Sequence, residues 1–166
     1  MSDQHTVYLA LGTNLGDRRE NLEAALLQLP PKVVPTAVSR LYETTPAYVL
    51  DQPGFLNIAV KAQTMLLPAE LLTYLKRIEE HIGRQKAVRY GPREIDIDII
   101  FYDDLVIELP NLQIPHPRLA ERGFVLRPLA DIGAELTHPT LKRTVAELTA
   151  NLPADDGVLA VFDWQP

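Results

Sequence analysis

The order of hydrophobic and polar residues predicts a strand, a helix and a second strand at the start of the chain. An apolar run over 6–11 indicates the first strand. Asp17 opens a capping-box pattern, and apolar residues then recur at helical spacing as far as Pro30-Pro31, which ends the helix. Residues 33–42 predict the second strand, with an interruption near Pro35.

Alternation is clearest over 55–62, where every second residue is aliphatic. This pattern is typical of a half-buried strand, in which the aliphatic residues face the core and Phe55 and Asn57 share the opposite face. Pro68 suits the first turn of a following helix, whose apolar residues recur at helical spacing up to Gly83, a candidate C-cap.

A further strand pattern contains two aspartates. From Ile95 to Phe101 the chain is apolar and largely β-branched, apart from Asp96 and Asp98. Because side chains alternate faces along a strand, the two carboxylates should point the same way, roughly 7 Å apart, while the neighbouring isoleucines face the core. Carboxylates on so apolar a strand need divalent cations or arginines to neutralise them.

The resulting order, β-α-β-β-α-β, predicts an α+β fold of the ferredoxin-like class, with an antiparallel four-stranded sheet and helices on one face. A less regular, proline-rich C-terminal extension follows. It contains, in order, a short strand near Val106, a turn over 111–117, and helices near 124–132 and 144–152. A single domain over 1–166 is expected, with a core at about 6–150 and a loosely held tail at 151–166.

Composition narrows the class of protein. The net charge of −6 argues against nonspecific binding to nucleic acid or to an anionic membrane. There is no cysteine, which excludes disulfides and thiolate metal sites. The polar first residues lack the pattern of a signal peptide, and no apolar run approaches the roughly 20 residues of a membrane span. We therefore expect a cytoplasmic monomer that acts on small molecules.

A group of basic residues precedes the two aspartates in this acidic chain. Its members are Arg84, Lys86, Arg89 and Arg93. Together with the aspartates they indicate phosphates and Mg²⁺, which usually binds through one or two carboxylates plus substrate phosphates. The alternative is a solvated strand face beside a charged surface loop. The glycine motifs G-x-x-x-x-G-K-[ST] and G-x-G-x-x-G are absent, and the scattered histidines do not suggest zinc.

The face shared by Phe55 and Asn57 is a candidate for binding a flat heterocycle. An aromatic ring would stack on the heterocycle, and an amide would hydrogen-bond its edge. Phe124 is a candidate for a second stacking ring. The residues alone leave the plainer alternatives open, namely a partly buried aromatic residue, a surface amide and an ordinary core phenylalanine. Gly12 and Gly16 are interpreted as a turn between strand and helix.

These residues belong to an ordered set of motifs that resembles a known family. The motifs are G-T-N-L-G-D from Gly12, Y-E-T-T-P from Tyr42, D-Q-P-G-F-L-N from Asp51, G-R from Gly83, R-Y-G-P-R-E-I-D-I-D-I from Arg89, I-P-H-P from Ile114 and R-G-F-V-L-R-P-L from Arg122. Over about 6–150 the chain closely resembles 6-hydroxymethyl-7,8-dihydropterin pyrophosphokinase, a family of folate-biosynthesis enzymes. The G-P-R-x-[IL]-D-[IL]-D motif is highly specific.

The resemblance implies that ATP, as co-substrate, donates its β,γ-diphosphate to the hydroxymethyl group of the pterin and leaves as AMP. It implies that Asp96 and Asp98 hold two Mg²⁺ ions. Arg84 and Arg93 would be catalytic together with these aspartates, because they would neutralise charge on the phosphates. The ATP contacts that it implies are Glu79, Arg84, Arg89, Arg93, Ile99, His116 and Arg122.

The resemblance also implies a pterin site, and the chain departs from the family pattern in places. The pterin would lie between Phe55 and Phe124. The groups implied for its polar edge are Asn57 and the backbone of Thr44, Thr45 and Ala47. Between Gly83 and Arg89 the loop is one residue shorter than the family pattern, and Gln85-Lys86 replaces a second arginine, so Lys86 is assigned to assist Arg84 on ATP. Tyr90 stands where tryptophan is common.

Two functions of other classes compete with this one. A noncatalytic ferredoxin-like binding module would use the same fold, which hosts many functions. The paired aspartates and arginines argue against it. A metal-dependent nucleotidyltransferase would use the same groups to transfer a nucleoside monophosphate to its acceptor.

Overall fold

A computed structural model describes residues 3–46, 54–83 and 94–166. Its elements, in chain order, are β1 (His5–Thr13), α1 (Arg18–Gln28), β2 (Val33–Val38), β3 (Leu41–Thr44), β4 (Phe55–Thr64), α2 (Pro68–Ile82), β5 (Asp96–Tyr102), β6 (Ile107–Leu109), β7 (Leu112–Ile114), a 3-10 turn (Leu119–Glu121), α3 (Gly123–Gly133), α4 (Val145–Ala150) and β8 (Val158–Phe162). Among the described residues, no helix has the length and apolar character needed to cross a membrane.

The main sheet is antiparallel and six-stranded. Its strands follow the order β5-β1-β4-β3-β8, and β2 pairs with β4 beside β3. A separate hairpin joins β6 to β7, so the turn predicted over 111–117 contains a short strand. The predicted mixed fold with an antiparallel sheet and several helices is confirmed. The expectation of four strands in the main sheet is wrong, because one predicted strand is divided and residues 158–162 add another.

The divided strand breaks at Ser39. Its backbone N–H donates to the Ala59 carbonyl at 2.9 Å, while its Oγ accepts from the Ala59 N–H at 2.8 Å. The serine hydroxyl thus replaces a backbone acceptor at this point, and the chain bends between β2 and β3 without losing β4 as its partner.

Helices cover both faces of the sheet. On one face, α1 and α2 bury a first core with the aliphatic residues of β1, β4 and β5, including Leu9, Leu22, Ile58, Leu75 and Ile97. On the other face, α3 and α4 bury a second core that includes Tyr8, Ala59, Phe101, Leu126 and Leu148. α1 and α2, the helices of the predicted β-α-β-β-α-β unit, therefore lie on one face as expected, whereas the covering of the second face by α3 and α4 is not predicted.

The second core also corrects the interpretation of β4. Residues 56–60 are buried without interruption, so this strand is not half-buried. Its alternation in sequence is genuine, but the second face carries small or polar residues such as Ala59, which is 1% exposed, and α3 covers them. A small residue on that face lets the helix approach the sheet closely.

The caps expected from the sequence are present. The Asp17 carboxylate accepts the Glu20 N–H at 3.0 Å at the start of α1. Pro68 is the first residue of α2, which ends at Gly83 with a left-handed φ of 103°. These caps satisfy backbone groups that a helix end otherwise leaves without partners.

The C-terminal residues belong to the sheet. β8 pairs with β3 along its edge, and the Trp164 indole N–H donates to the Ser39 carbonyl at 2.9 Å. The expectation of a loosely held tail is therefore wrong for residues 158–164. The Val158–Phe162 segment is a run of five apolar residues, which is too short for periodicity to distinguish a strand from a loop.

A three-residue polar cluster links α3 to β3. Asp131 on α3 accepts from the Tyr42 hydroxyl at 2.9 and 3.0 Å and from Arg40 Nη2 and Nε at 2.9 and 3.2 Å. Tyr42 is 2% exposed. Burial, followed by the hydrogen bond to Asp131, raises the pKa of Tyr42 from 10.0 to about 12.

This cluster predicts a specific loss of stability at high pH. Since folding raises the pKa of Tyr42, the protonated phenol stabilises the native state fully below pH 10, and that contribution is lost as the pH rises toward about 12. At about 1.4 kcal/mol for each pH unit between the two pKa values, the loss is roughly 3 kcal/mol. Urea unfolding of the wild type and of Tyr42→Phe across this range measures it.

Comparison with Tyr42→Phe separates the effect of the Tyr42 phenol on stability from that of other groups that titrate at high pH. The stability advantage of the wild type over Tyr42→Phe should be constant up to about pH 10 and should shrink above it. An advantage that stays constant at all pH values would contradict the assignment.

Candidate active site

Four strand ends meet at one end of the sheet. Because neighbouring strands are antiparallel, β1 and β3 end where β4 and β5 begin. The register places Gly12 opposite both Asp96 and Asn57, and Asn57 opposite Tyr42. We call this set of four residues the cross-strand row. Residues directly opposite each other share a face of the sheet, so the row lies on the face of the second core.

The two aspartates occupy this face at the open end of β5. Asp96 is partly buried and Asp98 is exposed, whereas Ile97 and Ile99 are buried in the first core on the opposite face. The predicted alternation is therefore confirmed. With two residues per repeat of the strand, the carboxylates are separated by roughly 7 Å along the chain.

Glu79 fixes the backbone between the two aspartates. Its side chain is 4% exposed and reaches from α2 to β5, where Oε2 accepts the Ile97 N–H at 2.7 Å. A charge-assisted hydrogen bond of this kind, in a buried position, holds the first residues of β5 against α2. This contact gives Glu79 a positioning role, while its contact with ATP stays a prediction.

The amide of Asn57 is held on two sides. It is 6% exposed, and its Nδ2 donates to the Thr44 hydroxyl at 2.6 Å. On the other side lies Gly12, where a β-carbon would be 2.7 Å from Asn57 Oδ1 and 3.5 Å from Phe55 Cδ1. Gly12 therefore leaves the space that Asn57 occupies. A fixed amide with one donor already bound is suited to reading the polar edge of a ligand.

Two phenylalanines lie on the same face as the row. Phe55 begins β4 two positions before Asn57 and so shares its face. Phe124 is at the start of α3, is partly buried against the second core, and has the Arg122 guanidinium 5.6 Å from its ring centre. The geometry thus brings Phe124 to the face on which Phe55, Asn57 and the aspartates lie.

His116 and Arg122 form a neighbouring pair after β7. Burial, followed by the positive charges of Arg122 and Arg118, lowers the pKa of His116 below its ordinary value. Its Nδ1 accepts the Arg118 N–H at 3.0 Å, so in the neutral ring Nε2 carries the proton. His116 also lines a groove of about 650 Å³ between the β6–β7 hairpin and residues 138–141.

Residues that flank two segments, 47–53 and 84–93, make contacts that the structure describes. Arg18 donates to the Gly54 carbonyl and to the Glu43 carboxylate, both at 3.0 Å. At the other segment, a β-carbon on Gly83 would lie 2.7 Å from Glu94 Oε2. The predicted site residues Ala47, Arg84, Lys86, Arg89 and Arg93 lie outside the described residues.

Two predicted site residues also make contacts within the protein itself. The side chain of Ile99 lies in the first core, away from the face that carries Asp98. The Thr45 N–H donates to the Gly157 carbonyl at 2.9 Å, so this donor is engaged within the protein. Their predicted contacts with ATP and the pterin remain predictions.

The donor set is compatible with Mg²⁺ that is held partly by a substrate. Within the described ranges, no group of three or more His, Asp or Glu side chains is placed to hold a metal ion. Two carboxylates on one strand face are nevertheless the oxygen donors that Mg²⁺ takes when substrate phosphates complete its coordination. The residues therefore fit a magnesium-phosphate complex better than a metal site made of protein ligands alone.

The role of Gly12 is not evident from the sequence. Its surroundings in the sequence predict a turn, but Gly12 lies within β1, and its missing side chain leaves room for Asn57. No local signal reveals this, because the requirement arises from the pairing of β1 with β4. The motif that begins at Gly12 was an indirect indication only.

Comparisons with known proteins agree with the geometry. The family model for 7,8-dihydro-6-hydroxymethylpterin-pyrophosphokinase matches residues 8–134. A protein of Aquifex aeolicus named 2-amino-4-hydroxy-6-hydroxymethyldihydropteridine pyrophosphokinase is 41% identical, with 86% of this chain and 89% of the relative aligned. A protein of the same name from Bacillus subtilis is 48% identical, with 75% of this chain and 76% of the relative aligned.

Other relatives are considerably longer. A folic acid synthesis protein of Dictyostelium discoideum is 45% identical over 89% of this chain but only 22% of its own length, and a bifunctional folate synthesis protein of Arabidopsis thaliana is 50% identical over 79% of this chain and 24% of its own. The chain thus spans about a quarter of the length of these curated relatives.

Solved structures of similar fold are a further comparison. A crystal structure of a single-residue variant of Plasmodium falciparum HPPK-DHPS with pteroate matches 89% of this chain and 40% of its own at 20% identity, with a TM-score of 0.73. At this identity the likeness concerns the fold alone. The family match over residues 8–134, together with the two relatives of similar length, shows that the chain belongs to the 7,8-dihydro-6-hydroxymethylpterin-pyrophosphokinase family.

Proposed function

We propose that this chain transfers the β,γ-diphosphate of ATP to the hydroxymethyl group of 6-hydroxymethyl-7,8-dihydropterin. The hydroxyl oxygen forms a bond to the β-phosphorus and loses its proton, the bond between the α,β-bridging oxygen and the β-phosphorus breaks, and AMP leaves. The pyrophosphokinase names of the relatives from A. aeolicus and B. subtilis support this reaction.

One observation carries the proposal. The register sets Asp96 opposite Gly12 and Gly12 opposite Asn57, so groups suited to metal-bound phosphates and a group suited to a flat polar ring share one face and one end of the sheet. Diphosphate transfer between two substrates requires such an arrangement, since much of the catalysis consists of holding the reacting atoms together.

The aspartates have the task of holding two Mg²⁺ ions against the phosphates. When bound, the two ions stabilise the attacking and leaving oxygens of an in-line displacement. Asp98, being exposed, is accessible to a ligand, and Asp96 lies partly buried beside Gly12. The Glu79 bond to the Ile97 N–H supports a fixed backbone between the two aspartates.

Basic residues act on the phosphates in this proposal. Arg84 and Arg93, assisted by Lys86, neutralise charge that develops during transfer, and Arg89 contacts ATP. His116 and Arg122 bind ATP as well. The lowered pKa of His116 supports a neutral ring that donates from Nε2 at physiological pH.

The pterin binds between Phe55 and Phe124. The two rings stack on its faces, and Asn57 hydrogen-bonds its edge. Support comes from the fixed position of Asn57 between Thr44 and Gly12. A side chain that is already ordered loses little freedom on binding, which favours affinity.

Three further expectations belong to the same proposal. Counting β2 and β3 as one strand, the order β5-β1-β4-β2/β3 supports a ferredoxin-like core, to which β8 is added at the edge. Residues 1–166 form a single domain. The protein acts as a cytoplasmic monomer on small molecules.

The products formed from ATP test the reaction. With ATP, Mg²⁺ and the hydroxymethyl pterin, chromatography should resolve AMP and the pterin diphosphate, and omission of the pterin should abolish AMP. Formation of ADP without AMP would contradict the proposal. Release of pyrophosphate with a nucleotide-linked acceptor would instead favour the nucleotidyltransferase.

Asparagine variants test the aspartates in the same assay. Asp96→Asn and Asp98→Asn each remove a carboxylate charge that holds a cation. Because such a cation stabilises the transition state by several kcal/mol, kcat/KM should fall by at least about 100-fold. Asp104→Asn is the matched control, since it changes an exposed aspartate beyond the far end of β5. Unchanged activity of Asp96→Asn and Asp98→Asn would favour the noncatalytic binding module over the enzyme.

Gly12→Ala tests whether Asn57 hydrogen-bonds the polar edge of the pterin. The new methyl group would lie 2.7 Å from Asn57 Oδ1, and Asn57 can yield only by losing its bond to Thr44. We expect a stability loss of about 1–3 kcal/mol, as in other overpacked sites, and a higher KM for the pterin. Thermal unfolding and pterin-dependent kinetics measure the two effects.

A double variant separates packing from recognition. Gly12→Ala/Asn57→Ala relieves the collision, so part of the stability should return while pterin affinity stays low. A wild-type KM for the pterin in Gly12→Ala would contradict the assignment of Asn57.

A further inference from the structure

A short segment near the C-terminus, Asp156 to Val158, contacts two elements that carry residues of the proposed pterin site. It follows α4 and leads into β8, beyond the 8–134 range that the family model matches. On one side it touches the start of α3, which carries Phe124. On the other side it touches the end of β3, where Thr44 holds Asn57. We call these three residues the C-terminal clamp.

The contact with α3 combines an ion pair with close packing. Arg127 Nε donates to Asp156 Oδ2 at 2.8 Å, and the Asp156 side chain is only 7% exposed. One turn earlier in α3, a β-carbon on Gly123 would be 2.9 Å from both the β-carbon and the carbonyl oxygen of Asp156. Glycine at this position therefore lets the clamp lie directly against the residue that precedes Phe124.

The contact with β3 runs through the backbone. The Thr45 N–H donates to the Gly157 carbonyl at 2.9 Å. Gly157 has a left-handed φ of 85°, and a β-carbon there would lie 2.9 Å from Thr45 Oγ1. Glycine suits both the conformation and the close approach. Asp156 Oδ1 also accepts the Val158 N–H at 3.2 Å, and Val158 pairs with Thr44.

The Asp156 carboxylate is the common point of these contacts. One oxygen holds α3 and the other orders the turn that presents Gly157 to β3. The Arg127 side chain is 45% exposed, so the ion pair alone contributes little, but the Asp156 carboxylate is 7% exposed and depends on its protein partners for the hydrogen bonds that water would otherwise make. A turn stabilised in this way can hold two separate elements at a fixed distance.

We propose that Asp156 is a positioning residue for the pterin. Acting through Arg127 and Gly157, it holds the start of α3 against the end of β3 and so fixes the position of Phe124 relative to Phe55 and Asn57. This inference rests on the proposed function, because it assigns the clamp to the pterin half of that site. Its effect is pre-organisation: the slot exists before the pterin enters, so less freedom is lost on binding.

Steady-state kinetics of Asp156→Asn and Arg127→Ala test the clamp. Each variant removes the charge-assisted bond from one side, so both should raise the KM for the pterin, by about tenfold if some 1.4 kcal/mol of pre-organisation is lost. The KM for ATP should rise less than the KM for the pterin, since Arg122, next to Gly123, is the residue assigned to ATP that adjoins the clamp's contact with α3. The Asp156→Asn/Arg127→Ala double variant should be no worse than either single variant, as expected for one shared interaction.

Asp103→Asn is the matched control. Asp103 also accepts one backbone N–H, that of Thr6, and contacts one basic side chain, that of His5, but at the opposite end of the sheet. It should change thermal stability without changing the KM for the pterin. Hydrogen exchange at the Thr45 amide should accelerate in Asp156→Asn and remain unchanged in Asp103→Asn, which reports the clamp without any activity measurement.

The possible results separate the two proposals. An active wild type whose pterin KM is unchanged in Asp156→Asn and Arg127→Ala would overturn the clamp and leave the proposed function intact. An equal rise in the KM for ATP would also overturn it, since that is the behaviour of a general structural defect. A wild type that forms no AMP would overturn the proposed function itself.

Discussion

The pairing register of β1 with β4 and β5 is the constraint on which the site depends. It places Gly12 between Asp96 and Asn57, so that a carboxylate and an amide on different strands share one face. A slip of one residue would turn Asp96 and Asp98 toward the first core, among Leu9, Leu11 and their neighbours. The aliphatic residues on that opposite face therefore specify where the polar groups point.

Helices cover both faces of the sheet, and the candidate site lies at the end of the second face, where the strands end. α3 buries the middle of the second face through residues such as Ala59 and Leu126, but its first residues lie near the strand ends. Asp131 near the C-terminal end of α3 is bonded to Tyr42, and Arg127 nearer its start is bonded to Asp156. The helix is thus fixed at two points to β3 and to the segment that joins β8, which defines the position of Phe124.

Strong local patterns made part of this predictable from the sequence. Alternation around Asp96 and Asp98 predicted their shared face, and the helical spacing between Pro68 and Gly83 predicted α2 with its caps. The rest depends on contacts between distant segments. The second core combines residues from strands and from α3 and α4, so no single window reveals it. The need for glycine at position 12 and the pairing of β8 with β3 likewise arise only when strands meet.

The most direct measurement is diffraction from crystals grown with Mn²⁺, a non-hydrolysable ATP analogue and the hydroxymethyl pterin. Mn²⁺ replaces Mg²⁺ at oxygen-rich sites and is located by its anomalous signal. We expect Mn²⁺ between the phosphates and the carboxylates of Asp96 and Asp98, and the pterin between Phe55 and Phe124 with its edge on Asn57. Mn²⁺ bound elsewhere, or a pterin on the face of the first core, would contradict it.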